Sequence, residues 1–420
     1  MQKLILLNPP YHRTLIRDYS CSHFSKGSYQ WAPVDLVVLS ANLQDYFDVH
    51  YFDLIRDRTL IQELFSEIQN ADILISLVSY ISIIEDLALL ESLHKINDKL
   101  KIYILGDIVS FDGDKILEEN GFLCGRIADF TEIDINKLII GQEDICQYGT
   151  DSSMFSIRPQ NSQLFSKYNY AMPYSRYSNV ATVLALNYGC KFHCTFCNSN
   201  KLTYKRRSVG ETVAELRSLE EQGIKEVYFR DFTLNAEPEV LADLCDQITK
   251  KNIRILWSCD ARLDLLSETL LKKMKRAGCY LVFFGIETNN KMIAQNAGKP
   301  IDDNQLNKIL NICKKEKILT LGSFLFGLPH ESKESVEQTI QYALGLSLSY
   351  ASFNVFERRP GLDHAFDEQV LTVEELMGYQ SSANRRFYFR IKKMLELIAN
   401  IRTVSQLNNC IKNGLKLLLC

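Results

Sequence analysis

The stretch "NYGCKFHCTFCNSN", residues 187–200, crowds Cys190, Cys194 and Cys197 into one short loop. It continues the apolar, β-branched run "VATVLALNY", which predicts a strand leading into the loop. Three thiolates from one loop can hold three irons of a four-iron cluster, and such clusters are ordinarily held by four cysteines. The fourth iron would then keep an open position, which is how a metal site admits a substrate or cofactor. Zinc is the competing reading, with His193 or a distant cysteine as fourth ligand. Structural zinc sites usually draw their ligands from two separated knuckles. His193 directly precedes Cys194, so both could bind one tetrahedral ion only with local strain. Three core thiols are the remaining alternative, and the Gly-led polar loop around them counts against burial.

Outward from the loop, strand-like runs alternate with helical ones. "EVYFRDF", "IRILWSC", "YLVFFGI", "LTLGSFLFG" and "YASFNVF" read as strands, and "GETVAELRSLEEQG" and "SETLLKKMKRAG" as helices between them. Six βα units over residues 178–362 predict a partial (βα)6 barrel, TIM-like but two units short of closure. The cysteine loop falls at its carboxyl-end mouth, where barrel sites are built.

Upstream, residues 1–140 show the same alternation: "KLILLNPP", "DVHYFDL", "DILISLVS" and "LKIYILGD" as strands, "VDLVVLSANLQDYF", "TLIQELFSEIQNA" and "IIEDLALLESLHKIND" as helices. This predicts an α/β domain with a doubly wound, Rossmann-like parallel sheet, whose ligand loops are residues 8–12, 76–82 and 106–110. Residues 141–177 include the polar, turn-rich "GQEDICQYGTDSSMFSIRPQNSQLF" and predict a linker. Residues 363–420 predict a short helical extension, clearest at "QSSANRRFYFRIKKMLELIANI".

With 420 residues, net charge -3 and 46% hydrophobic residues, the chain reads as an ordinary globular protein with no basic excess for nucleic acid. No run approaches the roughly 18 apolar residues of a membrane span. The start, "MQKLILLNPPYH", lacks the length and cleavage site of a signal peptide. The expectation is a cytoplasmic protein with neither a membrane nor a nucleic-acid partner, whose 12 cysteines stay reduced. Cys21, Cys124, Cys146, Cys245, Cys259, Cys279 and Cys313 stand alone and read as small hydrophobes. After Cys313 only Cys410 and Cys420 remain, too few for a second four-cysteine cluster.

Cys190-x3-Cys194-x2-Cys197 at the end of a barrel's first strand, with Phe196 before the last cysteine, resembles the signature of the radical S-adenosylmethionine (SAM) enzymes. "VYFRDFTLN", "LWSCDARLDLL", "MKRAGCYLVFFGIET" and "LGSFLFGLPHES" resemble its following strands in order, so the resemblance spans roughly residues 178–360. It implies a [4Fe-4S] cluster on Cys190, Cys194 and Cys197 whose open iron chelates SAM. An electron from a donor such as flavodoxin or ferredoxin then yields methionine and a 5'-deoxyadenosyl radical. It further implies Phe196 against the adenine, Asp231 at the second strand's end, Glu287 at the polar part of SAM, and the backbone around Gly322 and Phe324 beside the adenine. Lys201, Lys205, Arg206 and Arg207 would offset cluster charge or meet an anionic substrate, or form a solvated face. Arg358 and Arg359 would hold a carboxylate or phosphate, or make surface salt bridges.

"LILLNPP", "APVDLVVLSANL", "DVHYFDL", "ADILISLVSYIS" and "KIYILGD" resemble, in order, the cobalamin-binding domain that precedes the barrel in a large radical SAM subgroup. Its DxHxxG motif is absent: Asp48-Val49-His50 ends at Asp53 instead of Gly and lies inside a strand. The resemblance therefore implies a cobalt without a protein ligand below, Ser76, Ser79 and Tyr80 facing the corrin ring, and Gly106 in the fourth-strand turn. There Asp107 replaces the second Gly of the usual pair and would stand near the cofactor tail. The implied reaction is hydrogen abstraction followed by cobalamin-dependent methyl transfer to an unactivated carbon. Its alternatives are a ring-forming or rearranging enzyme with a relic first domain, and a non-catalytic iron-sulfur sensor.

Overall fold

The computed structural model describes every residue except 143–144, 146–152, 358, 360–361, 363–368 and 420. Arg358, Cys146 and Cys420 therefore lie outside the described residues. The chain divides into two compact units, Met1–Met172 with Asn179–Val183, and Pro173–Ser178 with Leu184–Cys420.

The first unit is built on five parallel strands in the spatial order Phe47–Asp53, Gln2–Asn8, Ile73–Leu77, Lys101–Leu105, Gly125–Arg126. Chain order thus reverses between the Gln2–Asn8 and Ile73–Leu77 strands, and ligands of this fold class bind outside the carboxyl ends at that switch. The strands read as apolar runs because helices cover both faces of such a sheet. Leu4 to Leu7 are fully buried, and Leu64, Leu90 and Leu93 from the helices Ile61–Ile68 and Ile83–Ile96 join Ile5, Leu7, Leu74 and Ile102 in one core. Each such leucine contributes roughly 1.5–3 kcal/mol.

The expected linker is corrected in its second half. Phe155, Phe165, Tyr168, Tyr170 and Met172 are buried. Tyr168 accepts from the Asp53 N–H at 3.0 Å and donates to the Tyr51 carbonyl at 2.9 Å, while Tyr170 donates to the Asp53 carboxylate at 2.5 Å. Turn residues between these aromatics hid a segment that is fastened to the Phe47–Asp53 strand.

In the second unit five strands pair in parallel in the order Tyr350–Val355, Leu319–Phe326, Cys279–Glu287, Leu256–Ala261, Glu226–Phe229. Burial alternates along Leu319–Phe326, so Leu321, Ser323 and Leu325 share one face and Gly322, Phe324 and Phe326 the other. On the first face Phe283 meets Tyr174 and Tyr228 edge-on, with ring centroids 5.3 and 5.7 Å away, and Asn354 donates to Ser323 at 2.9 Å. The expected first barrel strand is broken: Ala181–Val183 is extended, and after an irregular step Asn187–Tyr188 forms a separate short strand.

The C-terminal helix Val373–Tyr388 guards the sheet edge. Tyr388 accepts from the Ala351 N–H at 3.1 Å and donates to its carbonyl at 2.6 Å, and Gln380 donates to the Phe353 carbonyl at 2.9 Å, so the edge strand's backbone is not left open to pairing. Of the lone cysteines, Cys245, Cys259, Cys279 and Cys313 are buried as expected, whereas Cys21 and Cys124 are half-buried. Among the described residues no helix is long and apolar enough to cross a membrane.

Candidate functional site

The cysteine loop hangs from a hairpin. Asn187 and Tyr188 pair antiparallel with Arg206 and Lys205. Gly189 opens the loop at φ +68, where a Cβ would come within 2.8 Å of the Thr203 carbonyl oxygen, so only glycine fits. Asp231 holds the entering chain from below. Its carboxylate accepts the backbone N–H groups of Ala185, Leu186 and Asn187 at 2.9, 2.7 and 2.5 Å. Burial outweighs the three N–H groups, and the carboxyl stands raised to about 6. This corrects the expected role of Asp231, whose acceptors are used on the chain itself.

The basic run after the loop is corrected likewise. Arg207 is fully buried, bound to the Leu184 carbonyl at 2.9 Å and to Glu215 at 2.5 Å, and Arg206 pairs with Glu237 at 2.9 Å. Lys205 is buried too, 5.9 Å from the Tyr188 ring centroid. Lys205, Arg206 and Arg207 fasten the hairpin, whereas Lys201 is exposed.

Within the loop, the Cys197 N–H donates to the Cys194 carbonyl at 3.1 Å and the Thr195 N–H to the Ala297 carbonyl at 3.2 Å. Gly298, at φ +69, lies against the same backbone: a Cβ there would stand 3.0 Å from the His193 oxygen. All three thiols are free of disulfides. Cys190 Sγ lies 3.8 Å from Thr233 Oγ1, Cys197 donates to Ser199 Oγ at 3.3 Å, and Arg262 Nη1 reaches Cys194 Sγ at 3.9 Å. Burial raises the Cys194 thiol; Lys299 and Arg262 pull it down, and Cys197 pushes it up. Among the described residues no group of three or more His, Cys, Asp or Glu side chains is gathered as a metal site, the three loop cysteines included.

Glu287 stands at the end of its strand beyond a register shift at Gly285, in the left-handed region at φ +64. Such strain in a non-glycine residue persists only where its surroundings hold it, and it clusters at functional sites. The partner is Lys299, 2.7 Å away, with both side chains largely buried. Burial pulls the Lys299 ammonium down, but the Glu287 carboxylate outweighs it and the net shift is upward. Lys299 carried no sequence signal beyond its place before Pro300.

Phe196 packs with Leu325 against Phe356 and Leu362, beside the strand expected to line an adenine. Gly322 and Phe324 are not side-chain contributors. A Cβ on Gly322 would meet Leu348 at 2.6 Å, and Phe324 is fully buried, its ring centroid 5.3 Å from that of Phe353. Only their backbone remains for the expected role. The Arg359 carbonyl accepts from the Leu362 N–H at 3.1 Å.

In the first unit, the carboxyl-end residues expected to face a ligand are mostly engaged with one another. Ser79 and Ser82 share a hydrogen bond at 2.7 Å, Ser82 donates to Asp86 at 2.6 Å, and Asp86 pairs with the fully buried Arg17 at 2.6 Å. Ser76 is buried and donates to the Leu77 carbonyl at 3.1 Å. Asp107 accepts the Ser22 N–H at 2.7 Å and the Tyr80 N–H at 3.1 Å, so it braces loops rather than faces a cofactor tail. Gly106, at φ +136, would put a Cβ 2.0 Å from the Val78 oxygen and serves close backbone approach. Tyr80 stays 42% exposed and available. Asp35 Oδ2 and both polar atoms of Gln30 are buried with no hydrogen-bond partner. His50 lies on its strand's surface, 3.1 Å from Asp48.

Comparison with known proteins follows this division. The family model "Radical SAM superfamily" matches residues 184–343. An uncharacterized methyltransferase of Pyrococcus horikoshii is 36% identical over 183 residues, 43% of this chain and 40% of that protein. The chain spans 40%, 48% and 46% of the length of three curated relatives, so about half or less. Among solved structures, the radical SAM methyltransferase TsrM of Kitasatospora setae, with cobalamin and a [4Fe-4S] cluster bound, superposes with TM-score 0.60 at 16% identity. It covers 84% of this chain and 75% of that one. The cobalamin-dependent SAM radical enzyme OxsB gives TM-score 0.62 at 17% identity, over 90% of this chain and 56% of that one. At these identities the likeness establishes the fold.

Proposed function

We propose that this protein, whose residues 184–343 match the radical SAM superfamily model, is a radical SAM enzyme that abstracts hydrogen from its substrate and transfers a methyl group to the resulting carbon. The observation that carries the reading is three free thiols on one hairpin-held loop, with Arg262 and Lys299 acting on Cys194 as positive charges. That donor set fits an anionic iron-sulfur cluster: soft thiolates for iron, cations to offset its charge. Cys190, Cys194 and Cys197 would hold the [4Fe-4S] cluster. Bound there, the cluster would supply the electron for reductive cleavage of SAM.

The protein's own part is holding and excluding. Asp231 and the hairpin fix the loop's entry, and the Thr195–Ala297 bond fixes its middle. Glu287, held by Lys299, presents a carboxylate to the polar part of SAM, and Phe196 with Leu325 offers an apolar wall to its adenine. The electron would come from flavodoxin or ferredoxin in the cytoplasm.

Cobalamin in the first unit belongs to the same reading, supported by the 2-1-3-4-5 sheet and by the orphaned polar atoms of Asp35 and Gln30, which fit an amide-rich ligand. Tyr80, Asp35 and Gln30 would hold it, and bound there it would carry the methyl group. Anaerobic reconstitution, followed by SAM and reductant, should release 5'-deoxyadenosine. Hydroxocobalamin should remain bound in equal amount to protein after desalting. Turnover of substrate without label transfer from methyl-labelled SAM would replace methyl transfer by a ring-forming or rearranging reaction.

A further inference from the structure

Arg262 is fixed from three sides. Nε and Nη2 donate to the two oxygens of Asp264 at 3.0 and 2.9 Å, a paired geometry that sets the plane of the guanidinium. The Arg262 N–H donates to Asn235 Oδ1 and Asn235 Nδ2 to the Arg262 carbonyl, both at 2.8 Å, which pins the backbone. The guanidinium carbon lies 4.1 Å from the centroid of the Phe192 ring, a residue of the cysteine loop itself. These contacts leave Nη1 turned to the loop, 3.9 Å from Cys194 Sγ. Lys299, the other cation acting on Cys194, directs its ammonium to Glu287.

We propose that Arg262 donates a charge-assisted hydrogen bond to the Cys194 thiolate of the cluster-loaded protein and thereby raises the cluster's reduction potential, with Asp264 and Phe192 as the residues that position it. One-electron reduction adds a negative charge to the cluster. Hydrogen bonds to ligand sulfur and nearby cations favour the reduced form, and net charge and such bonds are the levers that set these potentials. The inference rests on the cysteines being cluster ligands.

The test is a mediated redox titration of reconstituted protein without SAM, read by the paramagnetic resonance of the reduced cluster. Arg262→Gln should disfavour reduction about tenfold, a midpoint about 59 mV lower for one electron. Arg262→Lys, which keeps the charge but loses the planar pairing with Asp264, should fall between wild type and Arg262→Gln, and Phe192→Leu, which takes the ring away from the guanidinium, should lower the midpoint by less. Should Arg262→Gln fail to take up iron, Arg262→Lys and Phe192→Leu decide the matter. Unshifted midpoints in these variants overturn the proposal, even with weakened SAM binding, which would assign the guanidinium to the SAM carboxylate. A wild-type protein with no cluster absorption removes the ligand assignment itself, an outcome distinct from an unshifted midpoint.

Discussion

Arg17 in the first unit and Arg262 in the second both stand near the carboxyl ends of parallel strands, and they are used differently. Arg17 is fully buried, with Asp86, Ser82, Asn8 and the Pro9 carbonyl around its two terminal nitrogens. Arg262 gives two nitrogens to Asp264 and keeps the third on a sulfur. The same contrast separates Asp231, spent on three backbone N–H groups, from Glu287, strained and held by a single lysine. A buried charge closed on its own chain shapes a loop, whereas one held from behind keeps an atom to spare.

The contrast breaks most sharply at the thiols. Cys194→Ala should reduce 5'-deoxyadenosine release to background while changing the stability of the metal-free protein by less than about 1 kcal/mol, as checked by product assay and urea unfolding. Asp86→Ala should do the reverse. It strands the buried Arg17 charge and costs about 3–5 kcal/mol of stability, while the folded fraction should still take up iron normally.

Asp35 sharpens the comparison through pH. Its carboxyl is pushed from 3.8 up to about 8, first by burial and then by Asp18, with a smaller push from Asp107. The folded form keeps a proton that the unfolded chain releases near pH 4, so this group's contribution is complete below that pH and is lost as pH rises toward 8. The loss amounts to about 2–3 kcal/mol between pH 5 and pH 7. Asp35→Asn should flatten that decline in urea titrations at the two pH values. Smallest is Lys299→Gln, which keeps a hydrogen-bond donor for Glu287 but removes the charge and should weaken SAM binding about tenfold by calorimetry. A normal affinity would return Glu287 to a structural role.

Much of the fold was legible because parallel strands buried on both faces read as apolar runs, as in "KLILLN" and "ILISL". The cysteine loop was legible because three thiols in one polar loop have few other uses. The rest failed for identifiable reasons. A carboxylate at a strand end looks the same whether it meets a ligand or backbone N–H groups, which misassigned Asp231. Period-two alternation within "LTLGSFLF" shows that Gly322 and Phe324 share a face but not which face looks inward. Arg262 and Lys299 act across tertiary contacts, 68 residues away in the case of Arg262 and Cys194. "CDARLD" offered only the Arg-x-Asp spacing as a hint.

The hairpin beneath the cysteine loop has a consequence for protein engineering. Because Tyr188 and Lys205 are register partners, the stretch 189–204 begins and ends at one place on the scaffold. It is therefore a cassette: its span, sequence and thiol spacing can be exchanged without altering the separation of its two ends. A recipient barrel must supply an aspartate under the entry strand and a glycine at the place of Gly298, where any side chain would press on the loop's backbone.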